Sequence, residues 1–168
     1  MTRPEPTDAY IGLGANVGGR LGALQQAVRA MASWPGTEVI AASSIYETEA
    51  HVLPGTDRQP DHLNAVVHLR TDWTPHELLN QLHDIERAAG RDFSAPPWSP
   101  RPLDLDLLVY GSELLVTDEL VIPHPRLAER RFVLRPLADI APSLIVSGST
   151  VNELLAATSD PARIDRTE

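Results

Sequence analysis

One stretch of the sequence decides the fold: Trp98–Tyr110, WSPRPLDLDLLVY. Its two prolines fix a rigid entry, and the apolar run behind them predicts a buried β-strand. Asp104 and Asp106 stand two positions apart, so a strand projects both carboxylates from one face. The opposite face is predicted to carry the apolar side chains of Leu103, Leu105, Leu107 and Val109.

The two carboxylates admit two interpretations. Neighbouring carboxylates on an apolar strand repel each other, and burying either one alone is costly. A hard divalent cation offsets both the repulsion and the cost of burial. Mg²⁺ is the usual cation where phosphates supply the remaining ligands. Arg101, just upstream, is placed to hold an anion beside such a cation. The alternative is a strand whose polar face is simply solvated.

Composition limits the class of protein. The 168 residues are enough for one domain over 1–168, with a core from about 8 to 158 and a mobile tail over 159–168. No signal-peptide core and no membrane-length apolar stretch is present in the sequence. With no cysteine and a net charge of -9, we expect a cytoplasmic protein that binds neither nucleic acid nor membranes.

The basic residues exclude several chemistries. All 14 Lys+Arg residues are arginine. A Walker-type phosphate loop requires its lysine, and Schiff-base catalysis requires one as well, so both are excluded. Any anion must therefore be held by arginine, histidine, backbone amides or a metal, and the planar guanidinium suits phosphate well.

Hydrophobic periodicity and turn residues give the order of elements. Strands are predicted over 9–14, 38–46, 62–69 and from 103 onward, helices over 20–34 and 74–89, and a long loop over 47–61. Thr74, Pro75 and Glu77 form a helix start with N-cap, N1 and N3 residues in place. The order β-α-β-β-α-β predicts an α+β, ferredoxin-like sandwich with an additional C-terminal strand and helices.

Two further groups of polar residues are candidates for a binding site. On the third strand one face carries His62, Asn64, Val66 and His68. Asn64 is either a satisfied polar residue or a reader of a base edge, since its amide donates and accepts together. Behind His124 lie four arginines, Arg126, Arg130, Arg131 and Arg135, which either form a salt-bridged helix surface or hold phosphate.

These residues together resemble the family of 6-hydroxymethyl-7,8-dihydropterin pyrophosphokinase, an enzyme of folate biosynthesis. The resemblance extends over roughly 9–142 and follows the family's order. It is carried by segments 10–16, 44–48, 59–65, 85–86 with 90–91, Pro100-Arg101-x-x-Asp104-x-Asp106, and 122–126 leading to 129–132. Each segment alone is a weak signal, whereas the ordered set is specific.

The resemblance implies transfer of pyrophosphate from ATP to the hydroxymethyl oxygen of the reduced pterin, with release of AMP, by a monomer. It implies that Asp104 and Asp106 hold two Mg²⁺ ions with ATP. The pterin would be bound by Thr48, His62, Asn64 and Phe132, and ATP by Trp98, Arg101, His124 and Arg130. Arg91 and Arg101 would be the catalytic arginines of a loop that closes over ATP. Such transfer requires positioning and charge neutralisation more than covalent chemistry.

The sequence departs from the family in that closing loop, which is usually rich in arginine. Residues 91–99 keep only Arg91, and Phe93 and Pro97 stand where a basic residue is common. Two other hypotheses therefore stay open: a paralogue of the same fold that binds pterin or nucleotide with weak or no transfer, and a non-enzymatic ferredoxin-like ligand-binding module. Product analysis separates them, because only the kinase forms AMP in a pterin-dependent way.

Overall fold

The computed structural model describes residues 5–49, 61–90, 94 and 102–167. Within these ranges the elements are, in order, β1 (Thr7–Ala15), α1 (Arg20–Ala32), β2 (Thr37–Ala42), β3 (Tyr46–Thr48), β4 (His62–Thr71), α2 (Pro75–Ala88), β5 (Asp104–Tyr110), β6 (Leu115–Val116), β7 (Val121–Ile122), a 3-10 turn (Leu127–Glu129), α3 (Arg131–Ile140), β8 (Ile145–Val146), β9 (Ser149–Thr150), α4 (Val151–Ala157) and β10 (Ile164–Arg166). None of the helices in these ranges is long and apolar enough to span a membrane.

The main sheet has the strand order β10-β3-β4-β1-β5, and β2 also pairs with β4. Every pair in it is antiparallel, and β1 lies between β4 and β5. The crossovers from β1 to β2 and from β4 to β5 contain α1 and α2. This is the ferredoxin-like arrangement that the sequence predicted, and the prediction of an α+β fold is confirmed.

One face of the sheet is covered by α1 and α2. Leu24 and Met31 of α1, and Leu78 and Leu82 of α2, are almost completely buried against the strands. Each such side chain contributes about 1.5–3 kcal/mol relative to an exposed position. The predicted start of α2 is confirmed, because the Glu77 amide donates to Thr74 Oγ1 at 3.2 Å and the Thr74 amide donates to Glu77 Oε2 at 2.7 Å.

The other face is covered only in part. Leu134 and Leu137 of α3 pack with Tyr10, Val66 and Leu108 of the sheet in a second apolar cluster, to which α4 adds Val151. This cluster leaves an open area above the C-terminal half of β1. The open area is the place where a cavity forms.

The second predicted strand, over 38–46, is interrupted in the structure. β2 ends at Ala42 and β3 begins at Tyr46, and both pair with the same edge of β4. Between them Ser43 replaces regular pairing: its hydroxyl accepts a hydrogen bond from the Val66 amide at 2.8 Å, while its own amide donates to the Val66 carbonyl. Residues 47–48 were predicted as loop and are strand instead.

The central strand differs from its predicted pattern at Val109. Tyr10 pairs with Val109 and Ile11 with Leu107, so Leu108 is one extra residue in β5. Such a bulge reverses the alternation of side chains beyond it. Val109 therefore packs in the second cluster beside Tyr10, on the opposite face from Leu105 and Leu107.

The C-terminal segment, for which mobility over 159–168 stays a prediction, contains a strand. Ile164–Arg166 forms β10, which pairs with β3 at the edge of the sheet. Beyond it, the Thr167 amide and hydroxyl both donate to the Ile45 carbonyl. The segment is held by backbone pairing with a short edge strand, which hydrophobic periodicity does not reveal.

Candidate active site

A cavity of about 860 Å³ lies on the open part of the sheet. Its floor is formed by one face of four strands in the order β3, β4, β1 and β5, and its side is formed by the 3-10 turn, the start of α3 and a C-terminal segment. Of the residues predicted to act, seven line it: Thr48, His62, Asn64, Asp104, Asp106, Arg130 and Phe132.

Glycines make room for the cavity in the middle of the floor. Gly14 pairs with Asn64 on one side and with Asp104 on the other, and Gly12 pairs with Val66 and Asp106. A Cβ atom at Gly14 would stand 3.2 Å from Asn64 Oδ1. Because Gly12 and Gly14 have no side chains, a trough opens over β1 between the amide on β4 and the carboxylates on β5.

On the β3–β4 side, Asn64 and Thr48 are fixed by a mutual contact. Asn64 Nδ2 donates to Thr48 Oγ1 at 2.7 Å, and both side chains are buried. His62 lies beside them, since it pairs with Thr48 across the strands. The amide of Asn64 is thus satisfied by Thr48 and also lines the cavity, and its role as a reader of a base edge stays a prediction.

His68 shares this strand face but lies outside the cavity. Its ring stacks on Tyr10 with centroids 4.6 Å apart, and its Nε2 is 2.8 Å from Asp8 Oδ1. This hydrogen bond, opposed by partial burial, lowers the pKa of Asp8 below its usual range. His68 therefore contributes to packing and to a hydrogen bond with Asp8.

On the β5 side, Asp104 and Asp106 both line the cavity and are partly buried. The residue between them, Leu105, points to the opposite face and donates its amide to Glu86 Oε2 at 3.1 Å. Glu86 belongs to α2 and is completely buried. This contact anchors the strand that carries the two carboxylates. The only signal for it in the sequence is the motif around Glu86.

Basic side chains face the two carboxylates from the other side of the cavity. Arg130 interacts electrostatically with Asp106 and Asp104, and its guanidinium lies 5.4 Å from the centre of the Phe132 ring. Burial lowers the pKa of Arg130, and the two carboxylates oppose that change. Arginine nevertheless stays charged in proteins, so Arg130 is a fixed cation at this position.

His124 lies next to the cavity rather than in its lining. Its amide donates to the Leu108 carbonyl at 2.8 Å, and its Nδ1 accepts from the Arg126 amide at 3.2 Å. Burial, together with the charge of Arg130, lowers the pKa of His124, and Asp104 opposes the change. Because Nδ1 is an acceptor, the neutral ring carries its proton on Nε2 and can donate there.

The remaining predictions divide into two groups. Arg91, Trp98 and Arg101 lie outside the described residues. Conversely, the cavity is also lined by Arg126, which the sequence suggested only as one of four arginines that could hold phosphate. Glu129 and the segment Ser159–Pro161 line it as well, and neither was proposed as part of the site. Arg126 lies in the motif at 122–126 and Glu129 in the one at 129–132, whereas 159–161 carries no periodic or motif signal.

The fold and the site together define a class of protein. Paired carboxylates opposite a fixed arginine suit the polyphosphate of a nucleotide, and a buried amide with a nearby ring suits a planar heterocycle. An enzyme that binds a nucleotide and a heterocycle side by side in one trough can transfer a phosphoryl or pyrophosphoryl group from the first to the second. The class is therefore that of the phosphotransferases.

Comparison with known sequences places the chain within that class. The profile of the 7,8-dihydro-6-hydroxymethylpterin-pyrophosphokinase (HPPK) family matches residues 10–142. The chain belongs to this family. It is 44% identical over 163 residues to 2-amino-4-hydroxy-6-hydroxymethyldihydropteridine pyrophosphokinase of Methylorubrum extorquens, an alignment covering 96% of this chain and 99% of that protein. The enzyme of the same name from Bacillus subtilis is 42% identical over 132 residues, covering 79% of this chain and 77% of the other.

Solved structures agree on the fold. Wild-type Plasmodium falciparum HPPK-DHPS, crystallised with pteroate, superimposes with a TM-score of 0.71 at 12% identity. The match covers 93% of this chain and 43% of that one, so the present chain corresponds to less than half of the longer protein. At this identity the likeness establishes the architecture alone.

Proposed function

We propose that this chain transfers the pyrophosphoryl group of ATP to the hydroxymethyl oxygen of 6-hydroxymethyl-7,8-dihydropterin, in folate biosynthesis. The hydroxymethyl oxygen forms a bond to the β-phosphorus and releases its proton to water. The bond from the β-phosphorus to the oxygen that bridges it to the α-phosphorus breaks, and AMP leaves with that oxygen. The observation that carries the proposal is the glycine-floored trough, which places an amide pocket and paired carboxylates in one cavity. The family to which the chain belongs supports the choice of reaction.

The acceptor end of the trough consists of Thr48, His62, Asn64 and Phe132. The amide of Asn64, oriented by Thr48, presents hydrogen-bonding groups to the edge of the pterin, and Phe132 supplies a ring for stacking. Phe132 belongs to α3, which packs on β4 and β3, and so lies on the same side as the amide. Thr48 and Asn64 are buried, and the exclusion of water around them strengthens the hydrogen bonds to the heterocycle.

The phosphate end consists of Asp104, Asp106 and Arg130, beside His124. It is two strand spacings from β4, roughly 10 Å, which leaves room for the hydroxymethyl group and the transferred phosphates between the ends. Arg130 binds phosphate oxygens through its planar fork, and His124 donates a hydrogen bond from Nε2. Both groups stabilise charge that shifts toward the leaving AMP.

Asp104 and Asp106 fit Mg²⁺, which we propose accompanies ATP as two ions. Their oxygens are hard ligands that face the cavity together. Among the residues that the structure describes, no group of three or more His, Asp or Glu side chains forms a metal cage. Phosphate oxygens and water would therefore complete the coordination. When bound, the metal neutralises phosphate charge and holds the phosphates in line for transfer.

Phosphorus NMR of the protein with MgATP and the reduced hydroxymethylpterin tests the proposal. Pterin-dependent appearance of AMP and of a diphosphate ester is the expected result. Binding of both ligands without AMP would instead support the paralogue without transfer, which the arginine-poor segment 91–99 favours. That the enzyme acts as a monomer stays a prediction.

Removal of the Phe132 ring should weaken pterin binding selectively. Stacking contributes about 0.5–1.5 kcal/mol beyond burial, so we expect Phe132→Ala to raise the dissociation constant for the pterin at least about threefold. Phe132→Leu keeps apolar volume without the ring and should lose most of the same affinity. Equilibrium titrations with the pterin and with a non-hydrolysable ATP analogue make the comparison. Equal losses for both ligands would mean that Phe132 serves the core only.

Substitution of the floor glycines should have unequal effects. In Gly14→Ala the new methyl group would meet Asn64 Oδ1 at 3.2 Å and displace the amide that Thr48 orients. We expect KM for the pterin to rise about two- to tenfold, the cost of one disturbed hydrogen bond. In Gly12→Ala the methyl group would meet only the flexible Leu108 side chain, at 3.4 Å, and the rise should be smaller. Steady-state kinetics of the two variants measure KM for the pterin. A larger rise in Gly12→Ala than in Gly14→Ala would contradict the idea that Gly14 makes room for the Asn64 amide.

A further inference from the structure

A C-terminal segment, Thr158–Thr167, joins the two sides of the acceptor end. It leaves α4, lines the cavity with Ser159, Asp160 and Pro161, and ends as β10 on the edge of β3. The family profile ends at residue 142, so the segment lies outside the part of the chain that the profile matches. We infer that this segment is a wall of the pterin pocket and that Asp160 is a positioning residue for Phe132. The inference rests on the proposed function.

Asp160 binds the first turn of α3. Its Oδ2 accepts a hydrogen bond from the Arg131 amide at 3.0 Å, and its Oδ1 accepts one from the Ala162 amide at 2.9 Å. The first amides of a helix have no partner within the helix, and a carboxylate there is also attracted by the helix dipole. In the described structure Arg130 is the N-cap of α3 and makes no side-chain capping bond. Asp160 thus supplies from a distant segment the cap that the local sequence lacks.

A second contact fixes the same junction. The Asp160 amide donates to Thr158 Oγ1 at 3.2 Å, and the Thr158 hydroxyl donates to the Glu129 carbonyl at 3.3 Å. Glu129 ends the 3-10 turn that leads into α3. The backbone on both sides of Arg130 is therefore held by the segment, and with it the direction in which Phe132 leaves the helix.

The far end of the segment binds the strands that carry the amide pocket. The Arg163 amide donates to Glu49 Oε1 at 2.9 Å, and its guanidinium contacts Asp61 Oδ2 at 2.8 Å. Glu49 follows directly on Thr48, and Asp61 directly precedes His62. Arg20 reinforces this side with a hydrogen bond of 2.7 Å to the Asp61 carbonyl.

One short segment therefore sets the distance between the stacking ring on α3 and the pocket residues on β3 and β4. A displaced ring loses its interaction quickly, because stacking depends on plane and offset. The charge of Arg130, on the same helix turn, acts over a longer range, since Coulomb attraction falls only with the inverse of distance. Loss of the Asp160 contact should hence affect the pterin more than ATP.

Kinetics and hydrogen exchange of Asp160→Ala test this inference. We expect KM for the pterin to rise about five- to tenfold, as for loss of a helix cap, with the dissociation constant of an ATP analogue within about twofold of the parent value. Asp160→Asn keeps one acceptor and should recover part of the loss. Asp118→Ala removes the same charge from the exposed turn between β6 and β7 and should behave as the parent.

Exchange of the Arg131 amide, followed by NMR, is the readout that does not depend on turnover. It should accelerate in Asp160→Ala while amides of β1 and β4 keep their protection. Parent-like KM for the pterin, equal losses for both ligands, or unchanged exchange of Arg131 would each overturn the inference. If Asp160→Ala does not fold, the same measurements on Asp160→Asn decide. If the parent itself forms no AMP with pterin, the proposed function fails, and the exchange result still decides whether Asp160 caps α3.

Discussion

Asp104→Ala and Asp106→Ala should each lower the rate of pyrophosphoryl transfer by at least about a hundredfold while leaving the fold intact. Groups that only orient a metal ligand already cost about 10–100-fold when they are lost, and a direct ligand should cost no less. The carboxylates face the cavity on one strand, so removing either leaves the other alone against Arg130 and the phosphates. Neither side chain belongs to the two apolar clusters, which is why stability should change little.

The measurement is a single-turnover rate over a range of Mg²⁺ concentrations, with circular dichroism as the test of folding. Asp104→Asn and Asp106→Asn keep the shape of each side chain and lose its charge, so they separate electrostatics from packing. Glu113→Ala, in an exposed turn after β5, is the matched control and should keep the parent rate. Near-normal turnover in either aspartate variant would mean that the substituted residue is not a ligand of Mg²⁺.

Much of the fold could be predicted because the signals are local. The capping residues around Thr74 fix the start of α2, and the alternation along 103–107 fixes which face of β5 carries the carboxylates. Alternation also placed His62 and Asn64 on one face of β4. Prediction failed where the register changes: the extra residue Leu108 and the Ser43 contact to Val66 depend on a partner strand, and no pattern within one strand reveals it.

The residues of the candidate site also differ in whether the sequence could reveal them. Residues that belong to strands or to an ordered motif, such as Asn64, Asp106 and Phe132, could be proposed from the sequence. Asp160 and Arg163 could not, because their contacts reach back 29 residues to Arg131 and 102 residues to Asp61. Contacts of that separation leave no periodic trace, and single charged residues in an irregular segment are normally solvated.

Arg130→Ala should lower kcat/KM for ATP by about ten- to a hundredfold. A hydrogen bond to a charged group contributes about 1.5–3 kcal/mol, and each 1.36 kcal/mol corresponds to a factor of about ten in rate. ATP is charged before transfer as well as during it, so affinity for an ATP analogue and the single-turnover rate should fall together. KM for the pterin should change far less, because Arg130 lies over the Phe132 ring, 5.4 Å from its centre, and is not part of the hydrogen-bonded pair of Asn64 and Thr48.

Two further variants separate the role of the Arg130 side chain from a general loss of positive charge near α3. Arg130→Lys keeps a charge but loses the planar fork, and should recover only part of the rate. Arg135→Ala removes an equal charge from α3, where Arg135 lies over Tyr46 and 4.0 Å from Asp139, and should leave both ATP parameters unchanged. The deficit of Arg130→Ala should also be the same across neutral pH, because an arginine does not titrate there. Full activity of Arg130→Ala would mean that the phosphates lie away from α3, and the phosphate end would then consist of the β5 carboxylates without this arginine.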